Sequence, residues 1–126
     1  MLSTILRDVV LSSHMDIEIL KLGSVVVVAV SGDMDTTTVA DLNAVFDDLV
    51  GRGVQNYVID LGRVRFMDSS GLAALARLYK RIRIGHGDVR LCNLPPELRR
   101  VVELTRFDRV FDIFDERTAA LASFGV

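Results

Sequence analysis

The chain has 126 residues, half of them hydrophobic and a quarter charged, which fits one globular domain with a substantial core and excludes wholesale disorder. With 15 Lys and Arg residues against 17 Asp and Glu residues, the net charge of −2 argues against a nucleic acid or an anionic membrane as partner. The single cysteine, Cys92, excludes an intramolecular disulfide and indicates a reducing, cytoplasmic compartment.

Residues 1–15 are expected to form an N-terminal extension, and residues 16–126 the folded domain. For the extension, a flexible tail, an added partner contact and an early start-codon assignment all stay open. The apolar stretch before residue 12 is too short for a transmembrane helix and is interrupted by Arg7 and Asp8, so no membrane segment is predicted.

Two strands and a helix are predicted in the first half of the domain. Residues 17–22 alternate as an outer strand would, and residues 25–30 form a continuous apolar run typical of a strand covered on both faces. The helix that follows is expected to begin with a capping box of Thr38 and Asp41, and glycines end it. Its apolar stripe comprises Val39, Leu42, Val45, Phe46 and Leu49.

The second half alternates in the same way. A buried strand over residues 57–61 is followed by a short link, by Asp68-Ser69-Ser70-Gly71 and by an amphipathic helix. The remaining elements are predicted at residues 89–92 (strand), from Pro95 (helix), near residues 110–114 (strand) and at about residues 116–123 (helix). We predict an α/β domain with about four helices and a mixed, mainly parallel sheet of about five strands.

No catalytic, metal or cofactor site is predicted. The two histidines, His14 and His86, are not spaced as metal ligands, and a single cysteine cannot complete a zinc site. The chain lacks a phosphate-binding glycine loop and a nucleophile elbow. Asp33 and Asp35 could form a carboxylate pair, but aspartates just before a helix are more often loop and capping residues. The sequence therefore favours a protein that is not an enzyme.

The tetrad Asp68-Ser69-Ser70-Gly71 joins a strand to a well-formed helix. One interpretation is a helix cap, because aspartate or serine accepts hydrogen bonds from the free amides of the first turn. The other is a serine presented to a kinase, since the positive end of the helix dipole tolerates a new phosphate. The residues alone favour the cap, although three consecutive capping residues and a glycine exceed what a cap requires.

A longer context changes this preference. Residues 57–72, from the strand through the tetrad, closely resemble the central motif of STAS-domain anti-sigma factor antagonists. Ser31-Gly32-Asp33-Met34-Asp35 is similar to the family's Gly-Glu-Leu-Asp loop, with Asp33 where glutamate is usual. Leu104-Thr105-Arg106-Phe107 is similar to its C-terminal segment, with Arg106 where glycine is frequent. The resemblance extends over residues 16–123.

The resemblance implies a STAS domain that acts as an anti-anti-sigma factor. Its partner would be an anti-sigma factor serine kinase with a histidine-kinase-like ATPase fold, which phosphorylates Ser69, and a PP2C-type phosphatase would reverse the modification. The protein would be cytoplasmic and a monomer or weak dimer. The residues implied in partner binding are Asp33, Asp35, Thr36, Asp68, Ser69, Ser70 and Gly71.

Two other functions remain open for the same family. STAS domains also form scaffold subunits of large stress-sensing complexes, and they occur as accessory subunits of lipid or anion transport systems. Whether Ser70 is a second phosphorylation site is also left open at this point.

Overall fold

The computed structural model of the chain describes residues 5–11 and 14–126. Within them, one six-stranded sheet is flanked by four helices and a short 3-10 turn at Phe107–Arg109. The strands are β1 (Ile5–Leu11), β2 (Met15–Leu22), β3 (Val25–Met34), β4 (Asn56–Met67), β5 (Asp88–Cys92) and β6 (Asp112–Phe114). The helices are α1 (Val39–Gly51), α2 (Ser69–Ile84), α3 (Pro96–Leu104) and α4 (Arg117–Ser123).

The strands follow one another across the sheet in chain order, β1-β2-β3-β4-β5-β6. The pairs β1–β2 and β2–β3 are antiparallel, while β3–β4, β4–β5 and β5–β6 are parallel. This arrangement confirms the predicted α/β fold class with four helices and a mixed, mainly parallel sheet.

About five strands were predicted, and the sixth is β1, which lies within residues 1–15, the predicted N-terminal extension. It pairs along its length with β2, from Ile5 opposite Leu22 to Leu11 opposite Asp16. Its apolar pattern is broken by Arg7 and Asp8 and gives no strand signal alone, because the pairing partner determines the element. The division into residues 1–15 and 16–126 stays a prediction.

Strand β4 is longer than predicted. The link expected after residue 61 is instead a continuation of the strand to Met67, so that part of the prediction was wrong. Two irregularities of register between β3 and β4, near Ser31 and Gly32, let the strands stay paired where the apolar run ends. As a result both strands reach the same sheet edge, at the paired residues Met34 and Met67.

The sheet has a core on each face, because successive strand residues point to opposite sides. The larger core joins Val26 and Val28 of β3 to apolar residues of α1, α2 and α3. The smaller one joins Val25, Val27, Val58 and Cys92 to Ala120 of α4. Helices α1 to α3 therefore cover one face, and α4 covers part of the other.

Helix α4 is held to the sheet by a polar contact that is largely enclosed. Asp60, which is 9% exposed, accepts hydrogen bonds from Arg117 Nε at 2.9 Å and from Asn93 Nδ2 at 3.1 Å. Its other oxygen accepts from the backbone N–H of Gly62 at 3.0 Å. Because a buried carboxylate is stable only when paired and hydrogen-bonded, this contact anchors the start of α4 on β4.

Candidate functional site at the carboxyl edge of the sheet

Two loops meet where β3 and β4 end. Residues 35–38 connect β3 to α1, and Asp68 connects β4 to α2. The backbone N–H of Asp68 donates to the carbonyl oxygen of Met34 at 3.1 Å, which joins the two loops directly. In parallel sheets the ends of neighbouring strands lie at one edge, and ligands and partners commonly bind there.

Asp68 caps helix α2. Its Oδ1 accepts from the backbone N–H of Ser70 at 2.8 Å, from that of Gly71 at 3.2 Å and from the Ser70 hydroxyl at 2.5 Å. The pKa of the Asp68 carboxyl is lowered, chiefly by the hydrogen bond from the Ser70 hydroxyl and also by those from the N–H groups of Gly71, Ser70 and Thr36. Partial burial acts in the opposite direction but does not outweigh them. The carboxylate is therefore an anion at neutral pH that links the α2 cap to the loop after β3.

The two serines of the tetrad are in different states. Ser70 is partly buried and its hydroxyl donates to Asp68. Ser69, the first residue of α2, is exposed, and its hydroxyl has no hydrogen-bond partner in the part of the chain that the structure describes. One aspartate thus provides the side-chain cap that the residues alone predicted, and the Ser69 hydroxyl is left free for chemistry.

Gly71 allows α2 to approach β3 closely. It is buried, and a Cβ built on it would lie 2.6 Å from the carbonyl oxygen and 2.8 Å from the Cβ of Met34. Any side chain at this position would push the first turn of α2 away from the end of β3. The glycine that looked poorly suited to a helix is required by this contact, which the sequence did not indicate.

The loop after β3 is ordered by threonine hydroxyls. Oδ1 of Asp35 accepts from the hydroxyl of Thr37 at 2.6 Å and from its backbone N–H at 2.9 Å. The hydrogen bond from the Thr37 hydroxyl is the main reason why the pKa of the Asp35 carboxyl is lowered. Partial burial and the nearby charge of Asp68 act in the opposite direction. Thr36 is exposed beside them, and its N–H supports the Asp68 carboxylate.

Thr38 is the buried support of this loop, and the sequence assigned it a different role. It lies at the N-cap position of α1, but its side chain makes no capping hydrogen bond, so the predicted capping box with Asp41 was wrong. Instead its hydroxyl donates to the carbonyl oxygen of Asp33 at 2.7 Å and accepts from the N–H of Asp35 at 3.0 Å. Thr38 is 2% exposed and thereby fixes the path of residues 33–35.

All seven residues predicted for partner binding lie at the end of β3, in the loop after it, at Asp68 or in the first turn of α2. Asp33 is the most peripheral of them, and its carboxylate lies 3.6 Å from Nε of Arg65 on β4. The structure brings together the remaining six around the Asp68 carboxylate and the start of α2: Asp35, Thr36, Asp68, Ser69, Ser70 and Gly71.

The other reactive side chains lie elsewhere. Cys92 is fully buried on β5, and burial raises the pKa of its thiol to about 12, which matches the inert strand residue expected from the sequence. His86 lies exposed in the turn after α2 with a positive φ of 66°. Among the described residues, no helix has the length and apolar character that a membrane crossing requires.

Comparison with known proteins decides the family. A family model of the STAS domain matches residues 16–120. The chain belongs to the STAS-domain family. BtrV of Bordetella bronchiseptica, a candidate anti-sigma factor antagonist, is 30% identical over 104 residues, which cover 82% of this chain and 90% of that protein. The resemblance found in residues 57–72 is thus confirmed at the level of the family.

Solved structures agree with this assignment. The STAS domain described here superimposes on an anti-sigma factor antagonist from Mycobacterium paratuberculosis with a TM-score of 0.81 and 28% identity, covering 86% of this chain and 92% of that one. The anti-sigma factor antagonist SpoIIAA in its unphosphorylated form has the same fold, with a TM-score of 0.72 and 19% identity over 96% of this chain and 98% of that one.

Proposed function

We propose that this STAS domain is an anti-anti-sigma factor whose binding to an anti-sigma factor serine kinase releases a sigma factor and is switched off by phosphorylation of Ser69. In this proposal the domain is a cytoplasmic binding protein rather than an enzyme, acts as a monomer or weak dimer, and is reset by a PP2C-type phosphatase. The single observation on which it rests is the exposed Ser69 hydroxyl at the start of α2, which makes no hydrogen bond to any residue that the structure describes.

The geometry favours Ser69 over Ser70 as the acceptor. Phosphoryl transfer needs a hydroxyl oxygen that can reach the γ-phosphate of ATP and give up its proton. The Ser70 hydroxyl is hydrogen-bonded to Asp68 at 2.5 Å and partly buried, so its modification would also break the α2 cap. Modification of Ser69 breaks no hydrogen bond within the described residues.

A phosphate on Ser69 would change the surface without unfolding the domain. It adds about −1.5 to −2 charges at neutral pH. The positive end of the α2 dipole tolerates these charges, while Asp68 and Asp35 already make the surrounding surface anionic. A partner surface that fits a neutral hydroxyl would then meet a cluster of negative charge, and we expect binding to weaken roughly 100-fold or more.

The proposal is tested with the purified cognate kinase and Mg-ATP. Labelling is expected in wild type and in Ser70→Ala, to be lost in Ser69→Ala, and to map to the peptide containing Ser69. Ser69→Asp should lose kinase binding, while Ser69→Ala should retain much of it. Equal labelling of Ser69→Ala and wild type would refute the site assignment, and tight binding of Ser69→Asp would refute the switch.

A further inference from the structure

A groove crosses the sheet face that α4 leaves open. Helix α4 packs on Val25 and Val27 at the start of β3, whereas Ala29 and Ser31 farther along the same side of that strand line an open groove. The groove here has a volume of about 590 Å³. Its floor consists of two rows of residues that are paired across β2, β3 and β4. One row is Glu18, Ala29 and Asp60, and the other is Asp16, Ser31 and Arg63.

The groove continues toward the carboxyl edge of the sheet. A second hollow of about 320 Å³ shares Asp16, Ser31 and Arg63 with the first and is also lined by His14 and Arg65. The guanidinium of Arg65 lies 3.6 Å from the carboxylate of Asp33, one of the residues proposed to bind the partner. Arg65 therefore connects the groove to Asp33, the peripheral member of the residues proposed to bind the partner.

Two arginines along β4 give this groove a cationic side. Arg63 is exposed, and within the described residues no carboxylate lies within 4.0 Å of it. The side chain of Arg65 is 71% exposed, and its contact with Asp33 at 3.6 Å is a loose one. By contrast Arg117, at the other end of the groove, is bound to Asp60 at 2.9 Å. Arg63 and Arg65 can therefore take up new carboxylates with little competition.

We propose that Arg63 and Arg65 form a docking strip for an acidic segment of the anti-sigma factor that also covers Ser69. This inference rests on the proposed function. The planar guanidinium groups recognise carboxylates through paired hydrogen bonds. Asp16 faces them across the groove from β2, which disfavours a uniformly anionic ligand such as a nucleic acid or an anionic lipid surface. A peptide can place carboxylates over β4 and polar or cationic side chains over β2.

The strip would complement the switch at Ser69. That surface is rich in carboxylates, with Asp35 and Asp68 at its centre, so the kinase must present cationic or donor groups to it. A carboxylate segment bound at Arg63 and Arg65 fixes the orientation of the complex, because reversing it would place like charges together. Phosphorylation at Ser69 then removes one part of a two-part interface.

Charge reversal tests the strip. The double variant R63E/R65E is compared with R100E/R109E, which makes the same change of net charge at exposed arginines on α3 and in the 3-10 turn. Binding of the purified kinase that labels Ser69 is measured by surface plasmon resonance. We expect R63E/R65E to weaken the affinity roughly tenfold or more at low salt, chiefly through slower association, and the control to stay within about twofold.

The salt dependence and a neutral variant separate docking from misfolding. The difference between wild type and R63E/R65E should shrink at about 0.5 M NaCl, and R63Q/R65Q should show a smaller loss in the same direction. Equal affinities of R63E/R65E and wild type, or an equal loss in R100E/R109E, would overturn the docking strip. If Ser69→Asp loses binding while R63E/R65E retains it, only the strip is refuted; if Ser69→Asp still binds, the proposed switch itself is refuted.

Discussion

Replacing Gly71 by alanine tests the close approach of α2 to β3. The added Cβ would lie 2.6 Å from the Met34 carbonyl oxygen, 2.8 Å from the Met34 Cβ and 3.0 Å from the Met67 Cγ. The first two atoms belong to the β3 backbone or are fixed to it, so they cannot move away by a side-chain rotation. The helix must shift instead, and that shift strains the hydrogen bond from Asp68 N–H to the Met34 carbonyl.

Two opposing effects set the magnitude. Overpacking a tightly packed contact costs about 1–3 kcal/mol. Alanine in place of glycine inside a helix returns about 0.5–1 kcal/mol through the lower entropy of the unfolded chain. We therefore expect Gly71→Ala to lower the free energy of unfolding by about 1 kcal/mol, the difference between the middles of these two ranges.

Gly51→Ala is the matched control. Gly51 is the last residue of α1, and a Cβ built on it meets no atom within 4 Å. This variant should therefore gain up to about 1 kcal/mol. Both are measured by urea unfolding followed by circular dichroism, with the slopes compared to confirm two-state behaviour. If Gly71→Ala is as stable as wild type, or is more stable than wild type as expected for Gly51→Ala, the proposed steric role of Gly71 is wrong.

Three further predictions concern single residues. Arg106 has a positive φ of 65°, which costs an L-residue about 1–2 kcal/mol, so Arg106→Gly should raise the thermal midpoint and Arg106→Ala should not. The pKa of Asp68 is lowered in the folded state, so the Asp68 carboxylate contributes fully to the free energy of unfolding above about pH 4, and this contribution is lost progressively as the pH falls further. The difference in stability between wild type and Asp68→Asn should therefore be constant from pH 7 to about pH 5 and smaller at about pH 3. A difference that does not change with pH would contradict this. With the pKa of Cys92 raised to about 12, iodoacetamide at pH 8 should label the native protein at least about 100-fold more slowly than the unfolded one, and equal rates would contradict the burial.

The sequence predicted the elements whose residues are buried in a regular pattern. The valine run at the start of β3 indicates a strand, and the apolar stripes of α1 and α2 indicate helices. These patterns are readable because buried positions carry apolar residues at the spacing typical of each kind of element. Strand β1 and the second half of β4 were missed, because adjacent charged residues, Arg7 and Asp8, interrupt the apolar run of β1, and Gly62, Arg63 and Arg65 interrupt that of β4. Their strand conformation depends on pairing with β2 and β3.

The candidate site was located by its motif but not explained by it. Residues 68–71 identified the segment, while the difference between Ser69 and Ser70 follows from which hydroxyl meets the Asp68 carboxylate. The need for Gly71 follows from Met34, a residue far away in the sequence. Thr38 was assigned to a helix cap because its contacts with Asp33 and Asp35 depend on the path of the loop. Each of these features depends on contacts that no local pattern encodes.

The order of strands across the sheet also bears on how the chain reaches this structure. Because every strand pairs with the one before it, no strand has to be inserted between two that are already joined. Only the β3-α1-β4 unit and the first turn of α2 are needed to bring Asp35 and Ser69 together. As chains are synthesised from the N-terminus, the residues of that edge leave the ribosome before those of β5, β6 and α4. The surface proposed to be regulated thus lies wholly in the part of the chain that is synthesised before β5, β6 and α4.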